Sequence, residues 1–248
     1  MNKEQSDGAG LPVISIVTVV LNDREGLRKT LDSVEKQTYP FIQPIVIDGG
    51  SSDGTLDVIH DREDSIGYWI SEPDSGIYDA MNKGVRHAKG ELIMFLNAAD
   101  VLPSADTLGD FVAADYRAPE QGPNLYVCSV RTDKGALKKP KMLWLKQHYM
   151  LPCYHQGMLY PAGILRSEPF SERYRISSDV HHFLRIRDQI RIVVCDTVLA
   201  VYDTNGISSV NIDARDEEYH RIYRELGVSV VFRWLKKLHE LHQRLRKH

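Results

Sequence analysis

The hydrophobic pattern over the first hundred residues switches repeatedly between two periods. Val13–Val20 (VISIVTVV) is β-branched and apolar almost without a break, the pattern of a strand buried on both faces. Asn22 or Asp23 then suits a helix cap, and Leu27, Leu31 and Val34 follow at i, i+4 and i+7 of one helix, which Gln37–Pro40 ends. Ile45–Ile47 reads as a second strand stopping at Asp48, Gly49–Gly54 as a loop, Thr55–His60 as a short helix and Tyr68–Ser71 as a third strand. A turn at Pro73–Gly76 leads into a helix over Ile77–Ala88, which Lys89-Gly90 stops, and Leu92–Leu96 is a fourth buried strand. This alternation predicts an α/β fold: a mostly parallel central sheet, right-handed crossovers and helices on both faces.

Beyond Asp100 the rhythm loosens. Leu125–Val130 and Arg191–Tyr202 read as strands and Lys134–Lys141 as a basic loop. Between the two strands lies an irregular region containing CYHQGMLYP (153–161) and ISSDVHHFLRI (176–186). In the latter, Ser177 or Ser178 is placed to cap a helix that Asp179 opens, with Phe183 and Leu184 facing inward. At the far end, Val231, Trp234, Leu235, Leu238, Leu241 and Leu245 form one stripe amid Lys and Arg, predicting a basic amphipathic helix. The expected organisation is a disordered N-terminus (1–10), one domain over 11–212 with halves at 11–103 and 104–212, and a helical tail over 213–248.

Composition narrows the function class. A net charge of −3 argues against a nucleic-acid partner. Cys128, Cys153 and Cys195 lack metal-site spacing and read as reduced thiols of a cytoplasmic protein. The longest apolar run, Leu11–Leu21, is too short to span a bilayer, so the expectation is a soluble chain that at most touches a membrane surface through its tail.

In open parallel sheets, ligands bind beyond the carboxyl ends of the strands. Four polar clusters fall there: Thr18–Asn22, Asp48–Asp53, Glu72–Ser75 and Asn97–Asp100. Together they point to a polar ligand and to a metal. The stretches ISIVTVVLND, IVIDGGSSDGT, SEPDSGIYDAMNKGVRHAKGELIMFLNAAD and HQGMLYP resemble the family 2 glycosyltransferases of GT-A fold, with a look of the bacterial exopolysaccharide and colanic-acid-type repeat-unit enzymes. The resemblance is close over 13–103 and looser to about residue 210.

That resemblance implies a nucleoside-diphosphate sugar donor, Mn²⁺ or Mg²⁺ on the diphosphate, and inverting displacement by a hydroxyl of a lipid-linked or oligosaccharide acceptor. It places Thr18 and Asn22 at the donor, and Asp48 on the ring N–H of a uracil-type base with Gly49 allowing close approach. It sets Asp74 near the nucleotide, and Tyr78, Asn82 and Lys83 toward the diphosphate-sugar. Asp53 reads rather as a helix cap. LNAAD departs from the family's acidic motif: Asn97 stands in place of an acid, Ala98 and Ala99 offer no ligand, and Asp100 alone remains as the metal carboxylate, with His155 able to add an imidazole. Asp179 matches the catalytic base, His155 and Gln156 the acceptor floor, and Tyr202–Ser209 a loop closing over the donor. The depleted acidic motif keeps one alternative open, a non-catalytic nucleotide-sugar or glycan binding protein on the same fold.

Overall fold

The computed structural model describes residues 10–141, 145, 147–204, 212–231 and 234. The first half alternates as expected: β1 (Ile14–Val20), α1 (Arg24–Glu35), β2 (Ile42–Asp48), α2 (Thr55–His60), β3 (Tyr68–Ser71), α3 (Ile77–His87) and β4 (Leu92–Phe95). Asp23 caps α1, its carboxylate accepting from Gly26 N at 2.9 Å. The second half adds α4 (Thr107–Ala114), β5 (Asn124–Thr132), β6 (Leu137–Lys138), β7 (Met158–Pro161), α5 (Ala162–Ser167), α6 (Ser178–Ile186), β8 (Arg191–Tyr202) and α7 (Ile212–Glu225).

The strands form one sheet in the order β3-β2-β1-β4-β7-β5-β6, with β8 also paired to β5. β3, β2, β1 and β4 run parallel, and so do β5 and β8, whereas β7 is antiparallel to both β4 and β5. The antiparallel β7 sends the turn before it, His155–Gly157, back to the end of the sheet where β4 finishes. β2 starts three residues earlier than expected and includes Pro44. The missing N–H is tolerated because β3 begins pairing only at Ile45.

Side chains alternate across the sheet and so build a core on each face. Val17, Val19, Ile45, Ile47, Ile93 and Phe95 pack with residues of α3, α5, α6 and α7. Ile14, Ile16, Leu92 and Met94 meet Val34 of α1 and Leu108 and Phe111 of α4, while Val20 and Val46 meet Leu27 and Leu31 of α1 and Val58 and Ile59 of α2. α7 belongs to the core through Ile222 and Tyr223, with Val228 just beyond it. The N-terminal residues 1–9, the closing loop beyond Thr204 and most of the amphipathic stripe lie outside the described residues; Val230, Val231 and Trp234 are exposed. No described helix is long and apolar enough to cross a membrane.

One glycine shows how tightly α3 lies on the sheet. A Cβ at Gly84 would stand 2.4 Å from Val17 Cγ1. Gly84→Ala is therefore expected to destabilise the protein by ~1–3 kcal/mol through overpacking. Gly163→Ala in α5, where a Cβ meets nothing within 4 Å, is expected to be neutral or stabilising. Urea midpoints of the two variants check the contrast.

Candidate active site

The tips of β1, β2 and β3 are tied into one rim. Asp48, fully buried at the end of β2, turns its carboxylate onto its own loop: Oδ2 accepts from Gly50 N (3.2 Å), Ser51 N (3.0 Å) and Ser71 Oγ (2.5 Å), and Oδ1 accepts from Ser51 Oγ. Asn22, in a left-handed conformation at φ 51°, clamps the same loop: its Oδ1 accepts from Ser52 N and its N–H donates to Ser51 Oγ. Asp53 accepts from Thr55 N and from Arg24 N, joining the starts of α2 and α1, but the N-cap position of α2 is Gly54 rather than Asp53. A Cβ at Gly49 would lie 2.6 Å from Asp74 Oδ2, so a larger residue there has to displace that carboxylate. Asp74 is half-buried, and its Oδ1 accepts from Gly76 N at 2.9 Å.

Three residues expected along the donor are committed inside the fold instead. Thr18 is buried within β1, opposite Val46, two residues short of the strand's end. Asn82 spends both ends of its amide on the backbone of Phe170, donating to its O at 2.9 Å and accepting from its N at 3.0 Å. Lys83 lies 2.8 Å from Glu72 and 3.5 Å from Asp79, and donates to Pro73 O. Burial works against the lysine's charge, yet the hydrogen bond to Glu72 and the two carboxylates hold its pKa above the ordinary value. It braces the turn between β3 and α3.

At the end of β4 the chain makes a sharp turn, with Ala99 at φ 73°, and presents Asp100. This carboxylate is 4 % exposed; Oδ1 accepts from Asp203 N at 2.9 Å and Oδ2 from Gln156 Nε2 at 3.1 Å. Burial outweighs those hydrogen bonds and pushes its pKa up to about 7. Nearby, Asn97 Oδ1 is buried without a hydrogen-bond partner. Among the described residues no three His, Cys, Asp or Glu groups come together as a metal site. What is present is one carboxylate held near neutrality and one unsatisfied amide oxygen. Hard oxygen donors of this kind fit Mg²⁺ or Mn²⁺ when a diphosphate completes the coordination.

Asp179 sits at the start of α6 beneath Tyr78. The Tyr78 hydroxyl lies 3.1 Å from Asp179 Oδ1 and 3.0 Å from Ile176 O, and His155 Nδ1 lies 4.0 Å from Asp179 Oδ2. Burial raises the Asp179 pKa to about 6, against the hydrogen bonds from Val180 N and Tyr78. His155 is stacked on Phe95 and pushed down to about 4 by burial, so it stands there as a neutral imidazole. Its Nδ1 also faces Tyr160 Oη at 3.3 Å. Adjacent residues of one turn thus approach two carboxylates: Gln156 donates to Asp100, and His155 presents Nδ1 to Asp179 while its Nε2 is buried without a hydrogen-bond partner. Gly157 lets that turn press against β5, where a Cβ would meet Cys128 O at 2.8 Å.

Neither expected serine caps α6: Ser177 Oγ makes no hydrogen bond and Ser178 Oγ donates to Ser171 O at 2.7 Å. The segment leading into the helix is held instead by Glu218 of α7, buried, which accepts from the N–H groups of Arg175 (2.7 Å), Ile176 (3.0 Å) and Ser177 (2.8 Å). Its partners stand more than forty residues away in sequence, so only the folded chain reveals the pairing.

The description "Glycosyl transferase family 2" fits residues 15–174, well over half of the chain. The chain belongs to the family 2 glycosyltransferases. Family membership makes it an enzyme and sets aside the non-catalytic alternative. An uncharacterized glycosyltransferase of Mycobacterium tuberculosis is 30% identical over 243 residues, covering 94% of this chain and 85% of the relative. A PGL/p-HBAD biosynthesis glycosyltransferase of Mycobacterium bovis is 30% identical over 241 residues, covering 91% and 92%. Among solved structures, S. aureus TarS in complex with UDP-GlcNAc superposes with a TM-score of 0.68 at 18% identity, covering 87% of this chain and 65% of that one. Glucosyl-3-phosphoglycerate synthase from Mycobacterium tuberculosis, in complex with Mn²⁺, UDP and phosphoglyceric acid, gives a TM-score of 0.60 at 16% identity, covering 89% and 80%. These likenesses place the family 2 chain on the GT-A fold.

Proposed function

We propose that this glycosyltransferase moves a sugar, with inversion, from a nucleoside-diphosphate sugar to a hydroxyl of a lipid-linked or oligosaccharide acceptor. The observation that carries the reading is a pair of carboxylates with raised pKa values, Asp100 buried and Asp179 half-buried, approached by neighbouring residues of the His155–Gly157 turn. Two acids kept in different surroundings on either side of one turn suit different tasks. Asp179 takes the proton of the acceptor hydroxyl while that oxygen bonds to the anomeric carbon and the bond to the diphosphate breaks, its electron pair leaving with the diphosphate. Tyr78 fixes Oδ1, which leaves Oδ2 to receive the proton. Asp100 and Asn97 are the residues that would hold Mn²⁺ or Mg²⁺. Such an ion, when bound, neutralises charge developing on the leaving diphosphate. UDP is the favoured nucleotide, because UDP or UDP-GlcNAc is present in the TarS and M. tuberculosis synthase structures. Asp48 accepts a uracil N–H once Ser51 Oγ swings off its Oδ1. The basic amphipathic tail over 230–248 suits an anionic membrane surface, and it is proposed to keep the enzyme at the cytoplasmic face beside a lipid-linked acceptor.

A thermal-shift panel of UDP-, GDP- and TDP-sugars with Mn²⁺ tests the donor class. A donor at 100 times its Kd stabilises the fold by about 2.7 kcal/mol through mass action. Stabilisation by UDP-sugars above the others supports the reading, and stabilisation by none ends it.

The Tyr78–Asp179 contact gives a pH prediction. A base with a pKa of about 6 makes kcat fall as pH drops through 6. Tyr78→Phe removes a hydrogen bond that favours the ionised carboxylate, so the acid limb is expected to move to higher pH. The kcat–pH profile of the two proteins checks the direction.

A further inference from the structure

Away from the carboxylates, Arg173, Tyr174, Arg221, Arg224 and Glu225 line an open cavity of about 410 Å³. Three arginines and one carboxylate line it, and that carboxylate is already engaged: Glu225 accepts from the Tyr174 hydroxyl at 2.6 Å and meets His181 Nε2 at 3.2 Å. The arginines themselves are loosely held. Arg173 comes no nearer than 3.8 Å to Glu225, and Arg221 no nearer than 3.9 Å to Glu218, whose oxygens are taken by three backbone N–H groups. Arg224 contacts the carbonyl of His220 at 3.4 Å and no carboxylate among the described residues. Arg221 lies over the Tyr174 ring, 5.9 Å from its centroid, which orients its fork.

The cavity adjoins the side of the molecule that carries Asp179. Tyr174 lines both it and a narrow cleft with Ser75, Gly76, Tyr78, Asp79 and Glu172, and Tyr78 reaches Asp179. The helix that carries Arg221 and Arg224 is the one whose Glu218 holds the backbone leading into Asp179.

We propose that Arg173, Arg221 and Arg224 form a binding site for a phosphate or diphosphate group carried by the acceptor, which anchors the acceptor with its hydroxyl toward Asp179. Guanidinium forks match phosphate oxygens in pairs, and three of them facing one cavity with little compensation is the arrangement such a group requires. The proposal rests on the glycosyltransferase reading and names the acceptor class for it.

The test measures inorganic pyrophosphate binding by calorimetry with UDP present in excess, so that the donor cleft is filled. It uses the full chain, the double variant R221S/R224S and the charge-keeping R221K/R224K. The wild type is expected to bind, the Ser variant at least about tenfold more weakly, and the Lys variant in between. Equal binding by wild type and Ser variant, or no binding by the wild type, overturns the site. A second arm replaces pyrophosphate with vesicles containing phosphatidylglycerol. Vesicle binding that pyrophosphate competes away assigns the group to a membrane-borne acceptor, and pyrophosphate binding alone assigns it to a soluble one. UDP stabilisation of the Ser variant is read alongside: if it persists while pyrophosphate binding is equal in all three proteins, the anion site fails and the transferase reading stands.

Discussion

Asp179→Asn is expected to lower kcat by about 10²–10⁴-fold, the range for loss of a positioned general base, while UDP binding stays unchanged. Asparagine keeps an acceptor for Tyr78 and the place at the start of α6, so the loss isolates proton transfer. The same variant carries a stability signature. The folded-state pKa of Asp179 is raised from 3.8 to about 6, so ionisation in the folded protein works against the fold. The wild type therefore loses stability as pH rises from about 4 to 6, by up to about 3 kcal/mol, and the variant does not. The expected result is a variant that is nearly inactive and, above pH 6, more stable than the wild type. Initial rates at saturating donor and melting temperatures at pH 5 and pH 8 measure both halves. A variant with unchanged kcat removes Asp179 from the chemistry.

Asp100→Asn is expected to show the larger stability gain and a different functional loss. With a pKa raised from 3.8 to about 7 by burial, Asp100 opposes folding progressively between about pH 4 and 7, by up to about 4 kcal/mol. Asparagine still accepts from Asp203 N, and its amide meets Gln156 after that side chain turns over. The charge that a divalent ion needs is gone, so donor binding is expected to lose its dependence on Mn²⁺ and transfer to fall at least about a hundredfold. Melting temperatures from pH 4 to 9 and rates against Mn²⁺ concentration check the two effects.

The sequence carried much of this, but unevenly. A strand buried on both faces announces itself by an unbroken β-branched run, and β1 falls where that run lies; β8, only partly buried, was legible from its β-branched content alone. β7 is four residues inside a polar-looking region, and only its pairing with β4 and β5 makes it a strand. α4 has an apolar face made largely of Leu108 and Phe111, too little for periodicity to mark. Asp100 and Asp179 were legible as candidates because polar residues gathered at strand and helix ends, and the fold sets the His155–Gly157 turn beside both. Which side chains would face a ligand was not legible. Asn82 and Lys83 are as polar as Asp74, but Phe170 and Glu72 occupy them, and nothing local in the chain records a partner 88 residues away. Glu218 is the converse, an acid in an acidic stretch whose task is set by three amides it meets only after folding.

The central claim is that the end of β4 receives the diphosphate of the donor together with a divalent ion. Calorimetric titration of UDP into wild type and Asp100→Asn, each with and without Mn²⁺, tests it most directly. Tightening by Mn²⁺ in the wild type and none in the variant is the predicted result. UDP that binds both proteins alike, whatever the Mn²⁺ concentration, would contradict it.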